Sequence, residues 1–304
     1  MKKCGKIVLL SLGPIVLLFI ILAFVLLLKP FPDDFGTFVS MRNDFIEFLE
    51  QHQASERSIN RYFEDYSLSL NPLYRSMFKT KNLTLFLKSY ESPVIETATV
   101  NQLEIGKNTG NYFDFTFMIR PRPEYSLPFF HGDALKSMPG VDGALYMDFY
   151  SFSATLDLDS FFGAEADKIR EAMDLARPYW KTEGFGELTL HLDPYKSPFR
   201  LEMVEPERAP EEERRQYFDT ARRCFQLYLK AYVTALAQFE GREDQSVSGE
   251  NRAAVEEFVS ILYEHDVAVK MGKKIFPEED FDRYFLDGFW GVGGLQAERA
   301  QSKQ

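Results

Sequence analysis

Hydrophobic and polar positions divide the chain into three stretches of different rhythm. Ile7 to Leu28 is apolar and uncharged over about 22 residues, enough for a helix to cross a bilayer of roughly 30 Å. The spacing of Phe38, Met41, Phe45, Phe48 and Leu49 predicts a helix over Phe35 to His52, and Ser58 to Tyr66 continues in the same manner. A β-rich block follows. Leu83 to Tyr90, Val94 to Ile105, Tyr112 to Ile119, Pro128 to Leu135 and Gly143 to Ser153 are rich in β-branched and aromatic residues and are separated by turn residues. Short connections, such as KNTGN at 107–111, make their sheet antiparallel. Asp159 to Arg177 predicts a helix, and Glu187 to Asp193 and Arg200 to Glu205 predict two more strands. The last third is helical. Pro210 and the acidic turn Glu211, Glu212 and Glu213 open one helix, Asn251 to Lys270 a second and Glu278 to Phe289 a third.

A central sheet with helices before and after it is an α+β fold, arranged as a three-layer α/β/α sandwich and preceded by one N-terminal transmembrane helix. The expected divisions are a membrane anchor at 1–29, a stiff linker at 30–34, the domain at 35–292 and a flexible tail at 293–304. Lys2, Lys3 and Lys6 precede the apolar run, which puts the N-terminus in the cytoplasm and the domain on the periplasmic or lumenal side. The first 32 residues hold four of the 35 basic residues and none of the 46 acidic ones. The remainder therefore has 31 basic against 46 acidic residues, a net of −15. No basic stripe is present, which argues against a nucleic-acid partner. Two cysteines exclude a disulfide framework and the usual four-ligand zinc sites.

Candidate chemistry centres on PRPEYSLPFFHGD, residues 121–133. Asp133 ends this aromatic run, and a carboxylate in apolar surroundings favours its protonated form. Such a group can deliver a proton near neutral pH; the plain alternative is a strand-end Asp that caps a turn. His131 shares a strand face with Asp133, as a proton-transfer partner or as a backbone hydrogen-bonder. His191 and Asp193 repeat the His-x-Asp spacing, and the two pairs together could hold zinc or iron if they met in space. Asp148 interrupts the apolar strand LYMDFYSF, and so either meets solvent or lines a cavity. Glu104 reads as an ordinary strand residue, and Asp266, after His265, as part of a polar helix face.

These residues resemble the ferredoxin-dependent bilin reductases. The segment Pro121, Pro123, Tyr125, Leu127, Pro128, Phe130, Asp133 matches a family pattern that ends at a proton-donating Asp. Glu104 and Lys107 match an upstream Glu and Lys, Asp266 matches a second carboxylate, and KKIFPEEDFDRYFLDGFWGV resembles the terminal aromatic helix. The likeness implies a flat linear tetrapyrrole held between sheet and helices, with no bound metal or flavin. It also implies an external one-electron donor, ferredoxin or similar. Asp133, Glu104 and Asp266 become the expected proton-handling residues, and His131, Thr116, Asp148 and Phe130 the expected pigment contacts. Thr116 stands where some members carry a catalytic His. A non-catalytic tetrapyrrole carrier, or a reductase of a chlorophyll catabolite, would use the same frame.

Overall fold

The structure, a computed structural model, describes residues 34–78, 82–105, 112–137, 143–151, 157–180, 192–206 and 209–292. Its centre is one antiparallel sheet of eight strands. They are β1 (Ser55–Glu56), β2 (Ser67–Ser69), β3 (Asn82–Glu91), β4 (Ile95–Ile105), β5 (Tyr112–Pro121), β6 (Phe129–Ser137), β7 (Ala144–Tyr150) and β8 (Leu201–Val204). Strands β3 to β7 form a meander, β8 adds to β7, and the short β1 and β2 pair with opposite ends of β3.

Helices cover both faces, as expected for three layers. On one face lie the helices Asp34–Gln51, Ala166–Ala176 and Glu211–Ala237. Their core includes Met41, Phe45, Phe115, Phe117, Phe130, Phe149 and Phe225. Tyr228 and Tyr232 join the rings of this layer and donate hydroxyl protons to the carbonyls of Phe199 (2.7 Å) and Pro128 (2.6 Å), tying helix to sheet. On the other face lie Ser248–His265, Val267–Ile275, Glu278–Asp282 and the π-helical turn Arg283–Phe289. Their core includes Leu85, Leu87, Met118, Phe129, Phe258, Phe285 and Trp290. Because both faces are covered, β7 is buried at every residue from Leu145 to Tyr150 and shows no in–out alternation. Strand β3, flanked on its outer side only by the short β1 and β2, alternates through its middle.

Three expectations change. The helix read as Asn251 to Lys270 is two helices, broken at Asp266, whose ψ of 130° is extended. Asp266 then starts the second helix: its Oδ1 accepts the Val269 N–H at 3.3 Å. Asp193, read as the end of a strand, opens a 3-10 turn, Asp193–Tyr195, while 181–191 lie outside the described residues. The reading as a single-pass membrane protein is also corrected. Among the described residues no helix is long and apolar enough to cross a membrane. The longest, Glu211–Ala237, opens with three glutamates and buries its apolar face on the sheet. The run 7–28, the linker 30–33 and the tail 293–304 lie outside the described residues.

Candidate functional site

Strand register assembles the site. Thr116 stands opposite Asp133, Asp133 opposite Tyr146, and His131 opposite Asp148. Asn101 stands opposite Thr116. Side chains alternate along a strand. Asn101, Asp114, Thr116, His131, Asp133, Tyr146, Asp148 and Tyr150 therefore share the face toward the C-terminal helices. That layer contributes aromatic rings. His131 stacks on Trp290, with centroids 5.7 Å apart and planes at 27°, and meets the edge of Phe289 at 6.5 Å. Phe258 and Phe129 pack edge-on against the same indole.

Asp133 keeps 32% of its side chain accessible, whereas His131 keeps 10%. The carboxyl thus lies within the layer but can still be reached. Burial drives its pKa up to about 7, the hydroxyl of Thr116 opposes the shift, and the charge of Asp266 adds to it. His131 Nε2 is 3.9 Å from Asp133 Oδ2. Burial lowers the imidazole to about 4, against the pull of Asp266, so the ring is neutral near pH 7. Its Nδ1 is buried without a hydrogen-bond partner, as are Asn101 Oδ1 and Trp290 Nε1. Such orphans are rare in folded proteins and call for an explanation. Here two of them, on His131 and Trp290, belong to rings stacked on each other. The Tyr284 hydroxyl is pushed well above its ordinary range, first by burial and then by the charges of Asp114, Asp133 and Asp266. Its near neighbours are therefore acidic, and Asn101 donates to it.

The expected residues fall into two groups. Asp133, His131, Thr116 and Asp148 share the face, and Asp266 approaches it from the opposing layer, acting on Asp133, His131 and Tyr284 together. Thr116 Oγ1 donates to Asp114 Oδ1 at 2.8 Å. Asp148 is fully buried and collects donors, so it touches its own neighbours. Phe130 and Glu104 lie on the other face. Phe130 stacks on Phe149 at 5.2 Å and packs against Tyr232, within the core beneath the sheet. Glu104 has the parity of Gln102, whose Oε1 accepts from Arg42 on the helix Asp34–Gln51. As for a metal, His191 lies outside the described residues, and among the described residues no group of three His, Cys, Asp or Glu could hold one.

Asn101, Asp114, Tyr146, Tyr150, Tyr284 and Trp290 join the site without having been expected there. Asp114 could have been found, because it precedes Thr116 by two and so shares its face. Trp290 could not, because its stacking partner lies far away in sequence.

No family model and no curated protein matches this chain. Solved structures do. Phytochromobilin synthase from tomato, determined in complex with biliverdin, aligns over 83% of this chain and 82% of its own, with a TM-score of 0.62 and 15% identity. PcyX aligns over 83% of this chain and 97% of its own, with a TM-score of 0.41 and 12% identity. The first match establishes a shared fold; the second overlaps too loosely to add to it. The resemblance to bilin reductases read from residues 121–133 therefore extends to the architecture.

Proposed function

We propose that the protein binds an open-chain tetrapyrrole of the biliverdin type against the Asp133 face and reduces it. Electrons would come one at a time from an external donor such as a ferredoxin, and protons from side chains. One observation carries this reading. Asp133 holds its proton up to about pH 7 while remaining reachable, on a face whose opposite wall is aromatic. A general acid works best when its pKa lies near the working pH. Reduction of one double bond takes up two electrons and two protons. Asp133 delivers a proton to the pigment; the carboxylate left behind is poorly solvated and takes a proton back readily. Asp266 favours positive charge in its neighbourhood, and so favours a protonated pigment. The neutral His131 and the rings of Trp290 and Phe289 suit a flat conjugated ligand.

The donor must approach an acidic domain. The helix Val267–Ile275 offers a local exception, with exposed Lys270, Lys273 and Lys274 and no acidic residue. An acidic electron carrier would be steered there despite the net charge.

Adding biliverdin to the protein and following its spectrum tests the reading. The expected result is a shifted band, then new bands under a strong one-electron reductant, with the new bands lost in Asp133→Asn. A shift with no further change on reduction would refute the enzyme and leave a carrier. An unperturbed pigment spectrum would refute both.

A further inference from the structure

We propose that Asp148 is a proton store for this site, connected to the Asp133 face through the hydroxyls of Tyr146 and Tyr150. The inference rests on reading the Asp133 face as a place of proton delivery. Asp148 is fully buried. Its Oδ1 accepts from Ser197 Oγ at 2.6 Å and from the Phe149 N–H at 2.7 Å. Tyr146 Oη lies 3.1 Å from Oδ2 and 2.6 Å from Tyr150 Oη. The three groups thus form an unbroken string. Its far end lies beside the site: the Tyr150 ring is 5.9 Å from His131, and Asp133 is near enough for its charge to act on the hydroxyl. Tyr146 stands directly opposite Asp133 on the paired strand.

Each hydroxyl has one proton to donate, so the string has two polarities. With Asp148 ionised, Tyr146 donates to it and Tyr150 donates to Tyr146, and no proton faces the site. With Asp148 protonated, Oδ2–H donates to Tyr146 and Tyr146 to Tyr150. The Tyr150 proton is then free to turn toward the His131–Asp133 edge. When Asp133 has given up its proton, the Tyr150 O–H bond breaks as the Asp133 carboxylate takes that proton. Tyr150 recovers one from Tyr146, and Tyr146 one from Asp148. One proton has passed from Asp148 to Asp133, and no electron moves.

Burial raises both carboxyls, Asp148 to about 6 and Asp133 to about 7, with Ser197, the Phe149 N–H and Tyr146 restraining the rise at Asp148. Other groups face the string from every side. His131 lies opposite Asp148 on β6 and is neutral. Glu202 lies opposite Tyr146 on β8, ion-paired to Arg200 at 3.2 Å, with Lys196 also acting on it. Tyr228 of the long helix feels the Asp148 charge from the other face.

Tyr150→Phe in the full chain cuts the string and keeps the ring. In single-turnover reduction of biliverdin, this variant is expected to keep pigment affinity within about two-fold and to slow the proton-limited phase by ~10-fold or more. The loss should be largest below about pH 6, where Asp148 holds the proton it gives, and should fade as Asp148 ionises above it. Asp148→Asn should behave alike. A Tyr150→Phe rate and pH profile equal to wild type would overturn the proposal. A second arm needs no pigment, and so separates this idea from the proposed activity. Infrared titration of the protein alone should show tyrosine C–O bands shifting in step with the Asp148 carboxyl band, because the string reverses polarity. In Tyr150→Phe only the Tyr146 shift should remain, because that hydroxyl still bonds Asp148 directly. Tyrosine bands unchanged while Asp148 titrates would overturn it, whatever biliverdin does.

Discussion

Asp133→Asn should change how stability depends on pH, and the structure sets the size of the effect. Asp133 titrates at about 7 in the folded protein against 3.8 in the open chain, so the folded state binds the extra proton between those values. Unfolding then releases a proton, and stability falls as pH rises. The stabilisation is full below about pH 4 and is lost by the time the pH passes about 7. A shift of about three units is worth ~4 kcal/mol at roughly 1.4 kcal/mol per unit. Solvent reaches about a third of the side chain, so screening reduces this to ~2 kcal/mol. Asparagine has nearly the same shape and does not ionise. Urea denaturation of both proteins from about pH 4 to pH 8 should give curves that coincide at the acid end. The variant should become the more stable by ~2 kcal/mol at the alkaline end. His131 and Asp148 titrate in both proteins and largely cancel in the difference. Parallel curves across that range would mean that the carboxyl is ordinarily solvated, and the proposed acid would be lost with it.

Three further outcomes follow from the packing. Gly132→Ala would place a Cβ 2.4 Å from Phe117 Cζ and 2.5 Å from the Tyr146 carbonyl oxygen, one of them backbone. It should cost ~3 kcal/mol or more in urea unfolding, because the strand pair β6–β7 must separate. The imidazole of His131 should titrate near 4 by NMR, and in Trp290→Ala its midpoint should rise toward 6.5 as water reaches the ring. The same substitution should cost ~3–5 kcal/mol in stability for the cavity it opens. Gly291→Ala should destabilise by ~1–2 kcal/mol in thermal unfolding, because φ at 291 is +67° and a Cβ there would sit 3.3 Å from the guanidinium groups of Arg57 and Arg120.

The central strands were legible because each is long, β-branched or aromatic, and bounded by turn residues. The strands β1 and β2, with two and three residues, carry too little pattern to be read. The break at Asp266 was hidden because neither Pro nor Gly marks it. The backbone turns extended at an ordinary Asp, which then caps the next helix. Parity was available for Phe130: it lies an odd number of residues from Asp133, so one cannot face the site if the other does. For Glu104 parity was not enough. Only the register across β4, β5 and β6 shows that it lies with Gln102, away from Asp133. The same register brings Asn101 and Tyr146 to the site, and register between strands is set by packing that no short motif records.

The site is divided between two distant stretches of chain. The acids and the neutral imidazole come from residues 101–150, and the aromatic roof and Asp266 from residues 258–290. A nascent chain therefore completes its meander while Leu85, Leu87, Met118 and Phe129 still lack their cover. Until Arg120 can donate to the Trp290 carbonyl at 3.0 Å, that greasy surface is open to any chaperone or any neighbouring sheet. Fragments ending near residue 240 should consequently be sticky, and fragment complementation with a 248–292 peptide should rescue their solubility.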